Sequence, residues 1–384
     1  MGAAVLRLCP ISFSASCYSV PYMTAFPQLA VFVSIAAAAS ACSGCDDNAS
    51  QPDAQTAPDA QVGWARGPDL PEPVSNNAVA SVETEGGCMI FSLLGIGASR
   101  DASGIHNRGF RIREGDDSWI SLPSIPGPPR LAANAVGLRG EPYLLGGYEV
   151  QSGGTEVSAN TLQRFDLAFG RWEEMAPMPI AVDDVGAATW RDRYIVVVSG
   201  WSDTSNVDAV QIYDVETDSW LAATSFPGTP VFGQSMAISG DELVLIDGVR
   251  SGGLGFSLVN QAWRGTLNPK EPSEITWTDL GEHPGEARYR AAGGTTAAGA
   301  MWFHGGTAQP YNFDGLRYDN NQPATPLAST LSYQDGVFSV SDVPEKPNAT
   351  MDHRALVPCG ERMLSIGGMV SGPEVTAEIW SIVP

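Results

Sequence analysis

A tryptophan followed seven residues later by a proline, then by a short apolar run that stops at a small-residue turn, recurs along this chain. The pairs are Trp64/Pro71, Trp119/Pro126, Trp172/Pro179, Trp220/Pro227 and Trp277/Pro284, and a sixth, Val337/Pro344, has lost the indole. The apolar runs that follow are MIFSLLGIG to Gly97, YLLGG to Gly147, YIVVVSG to Gly200, LVLIDG to Gly248, MWFHGG to Gly306 and MLSIGG to Gly368. A period near 50 residues built of short strands and glycine turns means one supersecondary unit copied along the chain. No single copy can bury both of its faces, so the copies must stack on one another.

The 42 glycines and 28 prolines in 384 residues fit many short strands and turns, and argue against long helices. Six copies of a four-stranded unit predict an all-β, six-bladed β-propeller over residues 63–384. In the second copy, residues 132–137, 142–145, 161–167 and 171–175 read as strands a to d from the hub outward. The Trp64 phrase precedes the first glycine strand, and the last copy ends after its third strand, AEIWSIVP. Residues 63–70 are therefore expected to supply the missing outer strand of the last blade, closing the ring without exposed edges.

Residues 1–41 read as a signal peptide, with an apolar stretch at 29–39 ending in ASAC, small residues at Ala39 and Ala41 directly before Cys42. The pattern resembles a bacterial lipobox, with Ala39 where leucine is usual, and implies acylation of Cys42. Plain secretion after cleavage is the alternative. Translation starts at Met1 or at Met23. Residues 42–62 form an acidic, Pro- and Ala-rich tether. The expected location is exported: an outer-membrane or cell-surface lipoprotein, alternatively periplasmic or secreted. Outside the leader and tether only Cys88 and Cys359 remain. They fall in the first and last blades, which ring closure makes neighbours, and form either a disulfide or two separately buried thiols.

With 43 acidic against 21 basic residues the formal charge is −22, which excludes a nucleic-acid footprint and leaves the lipid anchor as the expected membrane contact. A monomer is expected. The four histidines, His106, His283, His304 and His353, fall in different copies without ligand spacing, so no metal and no cofactor is expected.

Function is expected in the loops that enter strand a and leave strand b. Those loops carry Asn76, Arg130, Asp184, Trp201, Gln234, Arg288, Tyr289, Arg290, His353 and Arg354. Guanidinium forks suit carboxylates and vicinal hydroxyls, and aromatic rings suit a sugar face, which points to a glycan or protein ligand. The same arginines read equally as braces that satisfy loop carbonyls. Asp184, Arg288 and His353 are the candidates for acid–base chemistry, although they form no motif.

Over residues 63–384 the chain resembles the bacterial, exported, six-bladed kelch-repeat proteins. The opening Trp64 to Asn76, containing PDLPEPVSN, is similar to that of the periplasmic N-acetylneuraminate epimerases. The resemblance implies a kelch-type propeller, and two functions on that scaffold. One is a cell-envelope binding or interaction protein. The other is a mutarotase or epimerase for an acidic sugar such as N-acetylneuraminate.

Overall fold

A computed structural model describes residues 63–384 apart from 253–254, 312, 316 and 319–323. The segments expected to be signal peptide, acylated Cys42 and tether lie outside the described residues. Within them the chain forms six antiparallel sheets of the a-b-c-d kind around an axis. Blade 1 comprises Ala78–Thr84, Gly87–Leu93, Gly109–Arg113 and Ile120–Ser121. Blade 2 comprises Arg130–Leu138, Glu141–Val150, Leu162–Asp166 and Arg171–Glu174, with Glu156–Ser158 paired to the end of its second strand. Blades 3, 4 and 5 begin with inner strands Gly186–Trp190, Ser235–Ser239 and Ala292–Thr295.

Blade 6 holds Val357–Cys359, Arg362–Ile366 and Ile379–Ile382, and its outer strand is Ala65–Arg66 from the front of the described chain. Ala65 pairs with Ser381 and Arg66 with Trp380. The ring thus closes with the strand expected from the Trp64 phrase. Cys88 and Cys359 form a disulfide across the same seam, with Cα atoms 5.6 Å apart.

The recurrent tryptophan has one job in each of the five copies that keep it. Its indole N–H donates to a carbonyl in the blade before it: Trp119 to Pro68 (3.1 Å), Trp172 to Pro123 (3.1 Å), Trp220 to Ala176 (2.7 Å) and Trp277 to Thr224 (3.3 Å). Trp64 donates to Pro344 at 2.8 Å, 280 residues away in sequence yet the preceding blade in space. A large ring with one polar corner suits such a seam, since the ring packs while the N–H finds a partner.

Each second strand meets two successive residues with positive φ, which end it in five blades and interrupt it within Glu141–Val150 in blade 2. The pairs are Leu94–Gly95, Gly146–Gly147, Ser199–Gly200, Asp247–Gly248, Gly305–Gly306 and Gly367–Gly368. The turn of blade 1 is therefore at Leu94–Gly95 and not at Gly97, because the conformation, rather than the last glycine of the run, sets where the strand stops. The second position admits little beyond glycine: a Cβ on Gly147 would lie 2.6 Å from the Leu131 carbonyl oxygen.

Candidate functional site at the hub

The stretch leading into each inner strand, or in blade 2 the start of the strand itself, contributes one residue in the left-handed conformation: Asn76, Ala132, Asp184, Gly233, Arg290 and Asp352. Backbone bonds carry these positions round the axis. Asp184 N–H donates to Ala132 (3.0 Å), Gly233 to Asp184 (2.8 Å), Arg290 to Gly233 (2.8 Å) and His353 to Arg290 (3.0 Å). The Ala132 N–H closes onto the Asn76 side-chain oxygen. A left-handed conformation is costly for a residue with a side chain. Its repetition in every blade shows that the ring of hydrogen bonds over-determines it. Gly233 is required for a second reason, since a Cβ there would meet the Tyr289 ring at 2.2 Å.

The ring side chains bind one another across the mouth. Arg290 donates to Asp352 Oδ1 at 3.0 Å and to Asp184 Oδ2 at 2.5 Å, and Arg354 pairs with the other Asp184 oxygen from the opposite blade. Asp352 also accepts from Ser75 (2.6 Å), Tyr318 (2.8 Å) and Asn76 (3.1 Å). Burial alone would push the Asp352 carboxyl up, but Arg290, Arg354 and the two hydroxyl donors outweigh it and hold the carboxyl below its usual range. Burial likewise opposes the Arg290 charge, and Asp184 and Asp352 reverse that, so the guanidinium stays protonated. Arg290 lies over Tyr289 at 4.7 Å and over Tyr311 at 5.2 Å. With an exposure of 1 % it is an internal group.

Segments from opposite blades meet above this network. Tyr311, Phe313 and Tyr318, from the segment leaving the second strand of blade 5, pack in one cluster with Tyr148, Phe232, Tyr289 and Met351. Tyr318 N–H donates to Arg100 of blade 1 (3.3 Å), and Gly315 approaches Gly154 of blade 2 so closely that a Cβ on Gly315 would lie 2.0 Å from the Gly154 carbonyl oxygen. Two acids flank the ring on the blade 2–3 side. Burial, then the Asp184 charge, raises the Asp183 carboxyl well above its usual value, against a hydrogen bond of 2.6 Å from Ser158. Burial lifts Glu156 to about 7, with Arg290 opposing and Asp184 and Asp314 reinforcing.

The remaining expected site residues brace loops. Arg130 binds Thr161 and Gln163 (3.0 Å), and Arg288 binds Gly305 and Ser329, each on its own blade. Gln234 donates to Val198 at 2.8 Å. His353 meets Thr350 at 2.7 Å, beside the buried Lys346, which binds Thr350 and Ser365. Burial and then Lys346 hold His353 down to about 3, and burial lowers the Lys346 amine to about 7. Trp201 is half-buried on the rim against Phe232 and the exposed Phe256. Of the expected set, the structure brings together Asn76, Asp184, Arg290 and Arg354, with Tyr289 packed beneath Arg290. It adds Ser75, Tyr318, Asp352, Asp183 and Glu156. Among the described residues no group of three or more ligating side chains is arranged for a metal.

No family model matches the chain. It is 25 % identical over 193 residues to the Kelch-like protein terF of Aspergillus terreus, which covers 45 % of this chain and 40 % of that protein. It is 27 % identical over 142 residues to human Kelch-like protein 35, covering 35 % and 22 %. It is 30 % identical over 150 residues to human Kelch repeat and BTB domain-containing protein 13, covering 39 % and 30 %. The matched stretches span less than half the length of these relatives. The solved structure of YjhT superposes with a TM-score of 0.64 at 15 % identity, over 82 % of this chain and 95 % of that one, which shows the fold alone. The repeated tryptophan seams, the six closed blades and these likenesses together make the chain a six-bladed kelch-type β-propeller with kelch-repeat homologues.

Proposed function

We propose that this protein is an exported kelch-repeat binding module that presents the upper loop face of the propeller to a glycan or protein ligand. The observation that carries the reading is the mutual pairing of Arg290, Arg354, Asp184 and Asp352. Guanidiniums that would otherwise clamp an anionic substrate hold the ring together instead. What this leaves for recognition is the rim, where Trp201 meets Phe256 edge to face and the hairpin that carries Phe256 also carries the exposed Arg250. The Cys88–Cys359 disulfide supports an oxidising compartment, in keeping with export, acylation at Cys42 and a tether through residues 42–62. Membrane contact is through that anchor only, and the charge of −22 disfavours nucleic acid.

Exchange chemistry on an acidic sugar is the less supported reading, because Asp184 is ion-paired while Arg288 and His353 serve the scaffold. The test is a glycan and peptide array probed with the full-length protein and its Trp201→Ala and Phe256→Ala variants. Loss of binding in both variants with unchanged melting supports the rim. Exchange of N-acetylneuraminate anomers above background in an NMR assay, abolished by Asp184→Ala in a folded protein, would replace the module with an enzyme.

A further inference from the structure

We infer that the seam between blades 4 and 5 is a pH-sensitive latch, closed by a proton held between His283 and Asp247 and opened when alkali removes it. The other five seams are each bridged by an indole N–H. At this one Phe338 stands opposite Tyr333, as Trp172 stands opposite Phe165, and its ring has no N–H to donate.

Two departures from the repeat coincide there. The residue before the proline of each phrase is Leu70, Ile125, Met178, Phe226 or Val343 in the other copies and His283 in this one. The first residue of the positive-φ turn is Leu94, Gly146, Ser199, Gly305 or Gly367 elsewhere and Asp247 here. Each puts an ionisable group where its counterparts carry none, and either alone would be a buried polar group without a partner. They meet instead: His283 Nε2 lies 2.8 Å from Asp247 Oδ2, and both side chains are wholly buried. The other ring nitrogen, Nδ1, lies 2.9 Å from the Pro284 carbonyl, which can only accept, so Nδ1 carries a hydrogen. The contact between Nε2 and the carboxyl is then a hydrogen bond only while a second proton sits between them. Without that proton two lone pairs are buried against each other. Both members of the pair touch blade 5 or its entry. The Phe338 ring packs on His283 with centroids 5.8 Å apart, and the Arg288 N–H donates to Asp247 Oδ2 at 2.8 Å.

The surroundings hold the proton in place. Burial opposes the imidazolium, but the bond and charge of Asp247 outweigh it, so the ring keeps its proton above its ordinary range; the Pro284 carbonyl adds to Asp247 and the Arg288 charge subtracts. Burial also raises the Asp247 carboxyl, against His283 and Arg288, and Glu286 offsets part of the Arg288 charge. The pair therefore releases its shared proton later than a free imidazole would. Stability from a raised group is present in full below the ordinary imidazole value of about 6.5 and is lost as pH rises through the folded one. Asp247 fixes the Arg288 N–H two residues before Arg290, so opening the latch loosens the segment that carries Arg290 into the hub.

The test is hydrogen exchange of the full-length protein from about pH 6 to about pH 9, corrected for intrinsic rates, on peptides covering residues 281–290 and 334–340, with the Trp172 seam as internal reference. Opening at the latch should steepen toward about tenfold per pH unit, the slope for one released proton, while the reference seam does not follow it. Asp247→Asn keeps a residue that tolerates the left-handed turn and still accepts from Arg288, and its amide donates to a neutral His283. It should fold and abolish the rise. Nitrogen NMR of the folded parent should show one histidine, the one whose signal moves in Asp247→Asn, titrating above its ordinary value. Seam exchange in the parent that matches the reference at every pH, the same rise in a folded Asp247→Asn, or a His283 ring titrating at or below its ordinary value would each overturn the inference.

Discussion

The two ends of the central axis are held by different physics. At the upper end six left-handed residues, two arginines and two aspartates close the mouth through directional bonds that cross from blade to blade. At the lower end the inner strands meet through small residues. Ala80, Ala135, Gly137, Ala187, Ala237 and Gly293 are among those lining a cavity of about 170 Å³ that continues toward Glu83, Arg139 and Asp192. There closeness does the work: a Cβ on Gly294 would lie 2.1 Å from the Leu356 carbonyl oxygen. Ser81 binds the Pro358 carbonyl, and the disulfide at Cys359 pins the neighbouring blades. The upper end is specific in direction because buried charges accept few arrangements, whereas the lower end is specific in volume only, since van der Waals contact has no preferred partner but admits no added atom.

The sharpest way to break this contrast is Arg290→Ala, which leaves Asp184 and Asp352 buried with less compensation and should cost about 3–5 kcal/mol of unfolding free energy in a denaturant titration. A cost under 1 kcal/mol would show that the ring is not structural. Next in size is the lower staple. Cys88→Ala with Cys359→Ala should cost about 2–4 kcal/mol, and dithiothreitol should lower the melting temperature of the parent but not of the double variant.

Acid should act at the upper end. His353 is held at about 3 against an ordinary 6.5, so the unfolded chain binds the extra proton and stability is lost as pH falls from 6.5 toward 3. Lys346, at about 7 against 10.5, adds the same sign between 10.5 and 7. Glu156 works in reverse: with a folded value of about 7 against 4.5, it loses stability as pH rises from 4.5 to 7. Melting curves should therefore show His353→Gln flattening the acid loss and Glu156→Gln steepening the rise between 4.5 and 7. The two groups oppose each other between 4.5 and 6.5, so the variants decide: a variant whose profile matched the parent's would refute that residue's assignment. The smallest effect belongs to the lower wall, where Thr295→Ala removes one bond of 2.8 Å to Ile238 and should cost about 0.5–1.5 kcal/mol.

Much of the architecture was legible because it repeats. Blade number, strand roles and the use of residues 63–70 to close the ring all follow from spacing, and Trp64 betrays its blade by carrying the same phrase as Trp172. The site was legible only as a set of loops. Arg288 and Arg290 differ by two positions, yet one braces its own blade and the other crosses the hub, because Arg290 is itself left-handed and the chain turns there. The Arg354–Asp184 pair spans 170 residues, which no local pattern encodes. Tyr318 and Glu156 come from segments beyond the glycine turns that carry no repeat signal at all. The blade 1 turn was misplaced for a related reason, since Leu94 adopts a conformation that its side chain does not advertise.

The claim that the hub charges are committed to one another is tested most directly by a double-mutant cycle on Arg290→Met and Asp352→Asn, read from chemical unfolding of the full-length protein. Mutual pairing predicts a coupling energy of about 0.5–3 kcal/mol, toward the upper end for a buried ion pair. Strict additivity of the two substitutions would contradict it and would return Arg290 to the pool of groups free to hold an anionic ligand.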